Sequence, residues 1–244
     1  MSDSSTAAKL PGKVVFIGAG PGSADLITVR GAQRLREAQV VLFDALTDPA
    51  LREHAPDAEW IHVGKRGFDH STSQTQINAL LLEQARQHER VVRLKGGDPS
   101  LFGRLEEELA TLRAAGIACE VVPGVTAAVV AAATCQRPLT RRGSGRSVSF
   151  ATAMTRTLEA HACRSADTEV FYMAGRQLLN LGEQLMAAGW PAEAAVLVVS
   201  QAGWPDQRET SHSVGTLADA AQSHEGRPTV VIVGAGAAPI DLRD

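Results

Sequence analysis

Apolar residues in this chain follow two alternating patterns. Short continuous runs rich in Val, Ile and Phe mark buried strands. Apolar positions three or four apart mark helices with one packed face. In the first half, Lys13–Ile17, Val40–Phe43, Trp60–Val63, Val91–Leu94 and Ile117–Val122 predict five strands. After the first comes a helix with Ser23 or Asp25 near its cap and Leu26, Val29, Ala32 and Leu35 on one face. Gln74 to His88 carries Ile77, Leu80, Leu81 and Ala85 at helical spacing, and a helix from Glu106 to Ala115 stops at Gly116. Strands alternating with helices predict an α/β fold with a mostly parallel sheet.

The second half opens with Val121-Val122-Pro123-Gly124-Val125, where Pro and Gly predict a hinge. Thr126 to Thr134 reads as a helix of small residues. The alternation resumes with Val148–Ala151, Val170–Met173, a helix from Gln177 to Ala188, then Ala195–Val199 and Thr229–Val233. The expected organisation is two α/β domains, residues 12–122 and 123–244, behind a disordered tail over residues 1–11. Trp190 and Trp204, each in a Gly-Trp-Pro turn, read as loop packing.

Composition narrows the function. The 244 residues carry a net charge of -3 and 4% aromatics, which argues against a basic field or a base-stacking platform for nucleic acid. Cys119, Cys135 and Cys163 form no CxxC and no metal-like spacing, as reduced thiols of a cytoplasmic protein would. The N-terminus lacks a basic, apolar leader, and no apolar stretch is long enough for a bilayer.

Candidate chemistry gathers at strand ends. Val91 to Leu94 runs into Lys95-Gly96-Gly97-Asp98-Pro99, where two glycines bare the backbone to a ligand and Asp98 places a carboxylate at the strand's carboxyl end. The first strand ends in Gly18-Ala19-Gly20-Pro21-Gly22. This loop is an imperfect dinucleotide fingerprint: Ser23 replaces the third glycine, and Pro21 removes an amide that pyrophosphate would need. Asp44 alone reads as a helix cap, and Lys65 and Arg66 as solvated charges. Glu106, Glu107 and Glu108 read as a helix start favoured by the macrodipole. Arg137, Arg141, Arg142 and Arg146 crowd one glycine-punctuated loop, which suits either a polar loop or a polycarboxylate site.

Taken in order, Gly18–Gly22, Val63–Arg66, Val91–Pro99, Phe102-Gly103-Arg104, Val122–Ala127, Pro138-Leu139-Thr140 and Phe171-Tyr172-Met173 resemble the uroporphyrinogen-III C-methyltransferase family of the tetrapyrrole methyltransferase superfamily. The resemblance spans about residues 12–236. It implies two α/β domains with S-adenosylmethionine in the cleft between them, usually in a homodimer. The implied activity is conversion of uroporphyrinogen III to precorrin-2 by methylation at C2 and then C7, with S-adenosylhomocysteine as co-product.

By position, the resemblance assigns cofactor contacts to Pro21, Gly96, Gly97, Asp98, Leu101, Thr126, Ala127, Met173 and Ala202. It assigns proton handling to Asp44 and Lys65, which together with Arg104 are the catalytic candidates, and substrate contacts to Arg104, Glu107 and Arg142. Arg104 is a carboxylate clamp rather than a base, because guanidinium stays protonated. No metal is implied.

Departures from the family pattern are Leu105 and Glu106 for two glycines, Arg141 and Gly143 in the Thr-His-Arg-Asp motif, Ala153 and Met154 for Gly-His, and Gln201-Ala202 for Asn-Gly. They leave two alternatives, a methyltransferase of a later precorrin or a degenerate S-adenosylmethionine-binding module. The downstream pathway, whether sirohaem, cobalamin or haem d1, is not encoded in these motifs. No stretch resembles the dehydrogenase-chelatase part of fused sirohaem synthases, so those steps are expected in separate proteins.

Overall fold

The computed structural model describes residues 12–64, 73–153 and 162–240. The chain divides into two compact units, Met1–Val125 and Thr126–Asp244. The expected tail, Lys65, Arg66 and Met154 lie outside the described residues.

The first unit is built on β1 (Lys13–Gly18), β2 (Val40–Phe43), β3 (Glu59–His62), β4 (Arg90–Lys95) and β5 (Cys119–Val122). All pair in parallel, in the order β3-β2-β4-β1-β5. Both faces are covered, as a parallel sheet requires. On one face, Val14, Phe16, Leu42 and Val91 pack with Ile77, Leu81 and Leu112 of α2 (Gln74–Gln87) and α3 (Leu105–Ala114). On the other, Val15, Ile17, Val41 and Leu94 pack with Leu35 of α1 (Val29–Arg36).

The start of α1 differs from expectation. Thr28, not Ser23 or Asp25, caps it, accepting from Gly31 N at 3.0 Å. Val29 is 77% exposed, because Ala24–Leu26 form a separate 3-10 turn and the helical register begins later.

In the second unit, α4 (Ala127–Thr134) and α5 (Leu178–Ala187) accompany β6 (Val148–Thr152), β7 (Thr168–Tyr172), β8 (Ala195–Ser200), β9 (Arg208–Ser213) and β10 (Thr229–Gly234). A short helix, α6 (Ala221–His224), precedes β10. The order is β6-β7-β10-β8-β9, and only β6 and β7 are parallel. The expectation of a mostly parallel sheet therefore holds for the first unit alone. Strand β9, Arg-Glu-Thr-Ser-His-Ser, has no apolar alternation to reveal it. Trp190 is 7% exposed and belongs to this unit's core, its Nε1 donating to Cys163 O at 2.9 Å.

Candidate functional site

In the first unit, β1 leads through α1 towards β2 on one side, while β4 leads through α3 towards β5 on the other. Strand order thus reverses between the adjacent strands β1 and β4, and the carboxyl ends at such a reversal form the crevice where open α/β sheets bind ligands. The two glycine loops lie there. Gly97 N donates to Gly20 O at 2.9 Å, and Gly20 N donates to Gly97 O at 3.3 Å.

The loops approach this closely because side chains are missing where backbones meet. A Cβ on Gly18 would sit 2.5 Å from Gly124 Cα, and one on Gly124 would sit 2.3 Å from Gly97 O. Gly97 is different. Its φ is +69°, and beyond its chain neighbours an added Cβ would meet, among the described residues, only Val125 O, at 4.0 Å. Its open side is free for a ligand. Asp98 holds the turn: Oδ2 accepts from Gly124 N and Oδ1 from Ser100 N, both at 2.8 Å. Pro21 and Leu101 are half-buried on the same two loops, Leu101 N donating to Asp98 O at 3.3 Å.

Asp44 follows β2 at the same carboxyl edge. It is not the helix cap; Asp48 is, accepting from Ala50 N. Asp44 Oδ1 instead accepts from Arg93 Nη2 at 2.7 Å. Arg93 and Lys95 alternate onto the helix-covered face of β4 and are almost fully buried. Their counter-charge is Glu108, 0% exposed, which accepts from Lys95 Nζ at 3.0 Å, Arg93 Nε at 3.3 Å and Gln74 Nε2 at 3.1 Å. Burial, followed by repulsion from Arg93, lowers the Lys95 pKa.

Reading Glu106–Glu108 as a helix start favoured by the macrodipole misses this cluster. The signal was available: two cations at alternate positions of a buried strand need an anion on the facing helix.

Arg104 sits at the N-cap of α3 with φ +54°. Its Nε and Nη2 donate to Glu107 Oε1 and Oε2 at 2.7 and 2.8 Å, in the two-pronged geometry a substrate carboxylate would use. Hydrogen bonding to Glu107 raises the guanidinium pKa further, as a clamp requires and a base does not.

In the second unit the carried-over cofactor positions meet at one sheet edge, and Arg142, next to Arg141, is not among them. β7 and β8 both run antiparallel to β10, so their carboxyl ends lie together. Met173 follows β7 with φ +57° and is 44% exposed, so it is not core. Gln201 follows β8 with φ +50°, and its Oε1 is buried without a hydrogen-bond partner among the described residues. The left-handed residue is Gln201 and not Ala202, so alanine replaces glycine there without backbone strain. Thr126, which precedes α4, shares a 2.6 Å hydrogen bond with Tyr172 Oη, bringing Thr126 and Ala127 to the same edge.

The arginine loop is divided in its roles. Arg137 donates to Ala237 O at 2.6 Å and Ser211 Oγ at 2.8 Å, and Arg141 to the carbonyls of Ala238 and Pro239. These two fasten the C-terminal segment, which explains them without a ligand, whereas Arg142 is exposed. A hollow of about 380 Å³ lies at the opposite edge of this sheet, between Arg141, Arg164, Asp167, Trp190 and Gly234. None of the positions assigned by resemblance lines it.

A two-sheet α/β chain with glycine loops at a topological reversal fits a known family. The model for tetrapyrrole (corrin/porphyrin) methylases matches residues 13–221, and the chain belongs to this family. Within it, the chain is similar to a uroporphyrinogen-III C-methyltransferase of Cyanidium caldarium, 39% identical, covering 91% of this chain and 92% of that one. Its counterpart from Pseudomonas aeruginosa is 40% identical, covering 92% and 94%. The crystal structure of uroporphyrin-III C-methyl transferase from Thermus thermophilus, complexed with S-adenosylhomocysteine, matches with a TM-score of 0.79 and 34% identity, over 91% of this chain and 97% of that one.

Proposed function

We propose that the chain is an S-adenosylmethionine-dependent C-methyltransferase that converts uroporphyrinogen III to precorrin-2 by two successive methylations, at C2 and C7. The observation that carries this reading is near-full-length similarity to proteins of that name, at 39% and 40% identity. The glycine turns support it. The open side of Gly97, where an added Cβ would meet no described atom beyond its chain neighbours nearer than 4.0 Å, gives a ligand access to backbone groups, and Gln201 Oε1, without a partner among the described residues, offers an acceptor beside Ala202.

When bound, S-adenosylmethionine supplies an activated methyl group for a nucleophilic pyrrole carbon and leaves as S-adenosylhomocysteine. The protein's task is then orientation and proton management. In this proposal Pro21, Gly96, Gly97, Asp98 and Leu101 form one part of the cofactor cradle, and Thr126, Ala127, Met173 and Ala202 form another. Asp98 acts through its hold on the turn, since both its oxygens already accept backbone amides. Arg104, presented by Glu107, and Arg142 receive acetate and propionate groups of the substrate. Asp44, partly exposed at the strand edge, accepts the proton that the methylated ring must lose, with Lys65 as its companion.

The family resemblance supports a homodimer, and a cytoplasmic setting belongs to the same proposal. No described helix is long and apolar enough to cross a membrane. The deciding experiment is anaerobic incubation of uroporphyrinogen III with S-adenosylmethionine, followed by product mass. Turnover of a later precorrin with none of uroporphyrinogen III would instead select the alternative substrate.

A further inference from the structure

The buried charge cluster of the first unit has a direction. Glu108 lies on the first turn of α3, fully buried, and binds two cations of β4. Arg93 spans the distance from it to the strand edge. Its Nε is on Glu108, its Nη1 on the carbonyls of Leu94 (3.0 Å) and Leu42 (3.4 Å), and its Nη2 on Asp44. Of the four charged groups, Arg93, Lys95 and Glu108 are buried and Asp44 alone reaches solvent, its side chain 28% exposed.

A buried ion cluster is a poor way to gain stability, because apolar residues of equal volume commonly serve as well. What it provides here is a guanidinium that cannot rotate and so fixes one carboxylate.

We propose that Glu108 is a positioning residue for methyl transfer: by anchoring Arg93 and balancing Lys95, it fixes the orientation and charge environment of the Asp44 carboxylate. This rests on the reading of Asp44 as the proton-accepting group. Two cations and one buried anion leave one positive charge, which Asp44 offsets. Neutralising Glu108 leaves both Arg93 and Lys95 facing Asp44 and frees the far end of Arg93. Among the described residues, the charged groups around Glu108 are Arg93 and Lys95 from β4 and Arg104 at the start of α3, while Gln74 contributes a neutral amide from α2. Among the described residues, Asp44 is faced by Arg93 and Lys95.

The test compares Glu108→Gln, Arg93→Lys and Asp44→Asn. The readout is steady-state kinetics with uroporphyrinogen III, with kcat and the KM for S-adenosylmethionine determined separately. Glu108→Gln is expected to lower kcat by roughly tenfold or more with the KM for S-adenosylmethionine unchanged. Arg93→Lys keeps the charge but not the fork, so it is expected to lower kcat in the same way.

A folded Glu108→Gln enzyme with parental kcat overturns the proposal. If Glu108→Gln does not fold, the proposal stands or falls on Arg93→Lys: parental kcat in that variant overturns it. Full activity in Asp44→Asn overturns instead the underlying assignment of Asp44, a result distinct from failure of the Glu108 variant.

Discussion

At the scale of the residue, Gly97 and Arg104 show how conformation selects chemistry. Gly97 adopts φ +69° with open space where a Cβ would project. Gly97→Val puts a β-branched side chain into that space and strains a left-handed backbone. Calorimetry is expected to show S-adenosylmethionine binding largely lost while circular dichroism stays parental. Unchanged affinity would place the cofactor elsewhere, and NADH binding in its stead would restore the dinucleotide reading of Gly18–Gly22.

Arg104 is already paired through both prongs with Glu107, at an exposed position where such a pair is worth little by itself. Exchange of that carboxylate for one on the substrate therefore costs little, and a charge-assisted contact is worth about 1.5–3 kcal/mol. Arg104→Ala is expected to reduce kcat/KM by about ten- to a hundred-fold, and Arg104→Lys to rescue only part, while cofactor affinity is unaffected. Parental turnover in Arg104→Ala, or equal loss of cofactor binding, would contradict the clamp.

At the scale of the element, what was legible in sequence depended on whether a local rule held. The parallel sheet was legible because strands buried on both faces must be continuously apolar, as Val14–Ile17 and Val40–Leu42 are. The glycine turns were legible because nothing else permits such close backbone approach. Strand β9 was not, since an edge strand of polar residues is defined only by its pairing with β8. The roles of Glu108 and of Arg137 and Arg141 were hidden too. They depend on partners far along the chain: Lys95 and Arg93 for the first, Ala237 to Pro239 for the others.

The elements β8, β9 and α6 also meet in a buried polar group. His224 is 0% exposed, its Nδ1 2.9 Å from Ser200 Oγ and its Nε2 2.9 Å from Thr210 Oγ1. Burial, then the nearby Arg208, lowers its pKa from 6.5 to about 4. The unfolded chain therefore binds a proton that the folded one refuses across this window. Stability is full above about pH 6.5 and is lost as pH falls towards 4, by about 3 kcal/mol for a shift of this size. Urea midpoints are expected to fall over that range, with the His224 ring still neutral near pH 5. A flat midpoint together with a ring titrating near 6.5 would contradict this.

At the scale of the whole molecule, family membership and the two glycine turns lead to one activity, and a single reaction tests it. The chain is purified and incubated without oxygen with uroporphyrinogen III and excess S-adenosylmethionine, and the tetrapyrrole and S-adenosylhomocysteine are followed by mass spectrometry. The account predicts a singly methylated species that appears first and is consumed, a final product carrying two added methyl groups, and two S-adenosylhomocysteine molecules released per macrocycle. Unaltered uroporphyrinogen III beside demonstrable S-adenosylmethionine binding would contradict it.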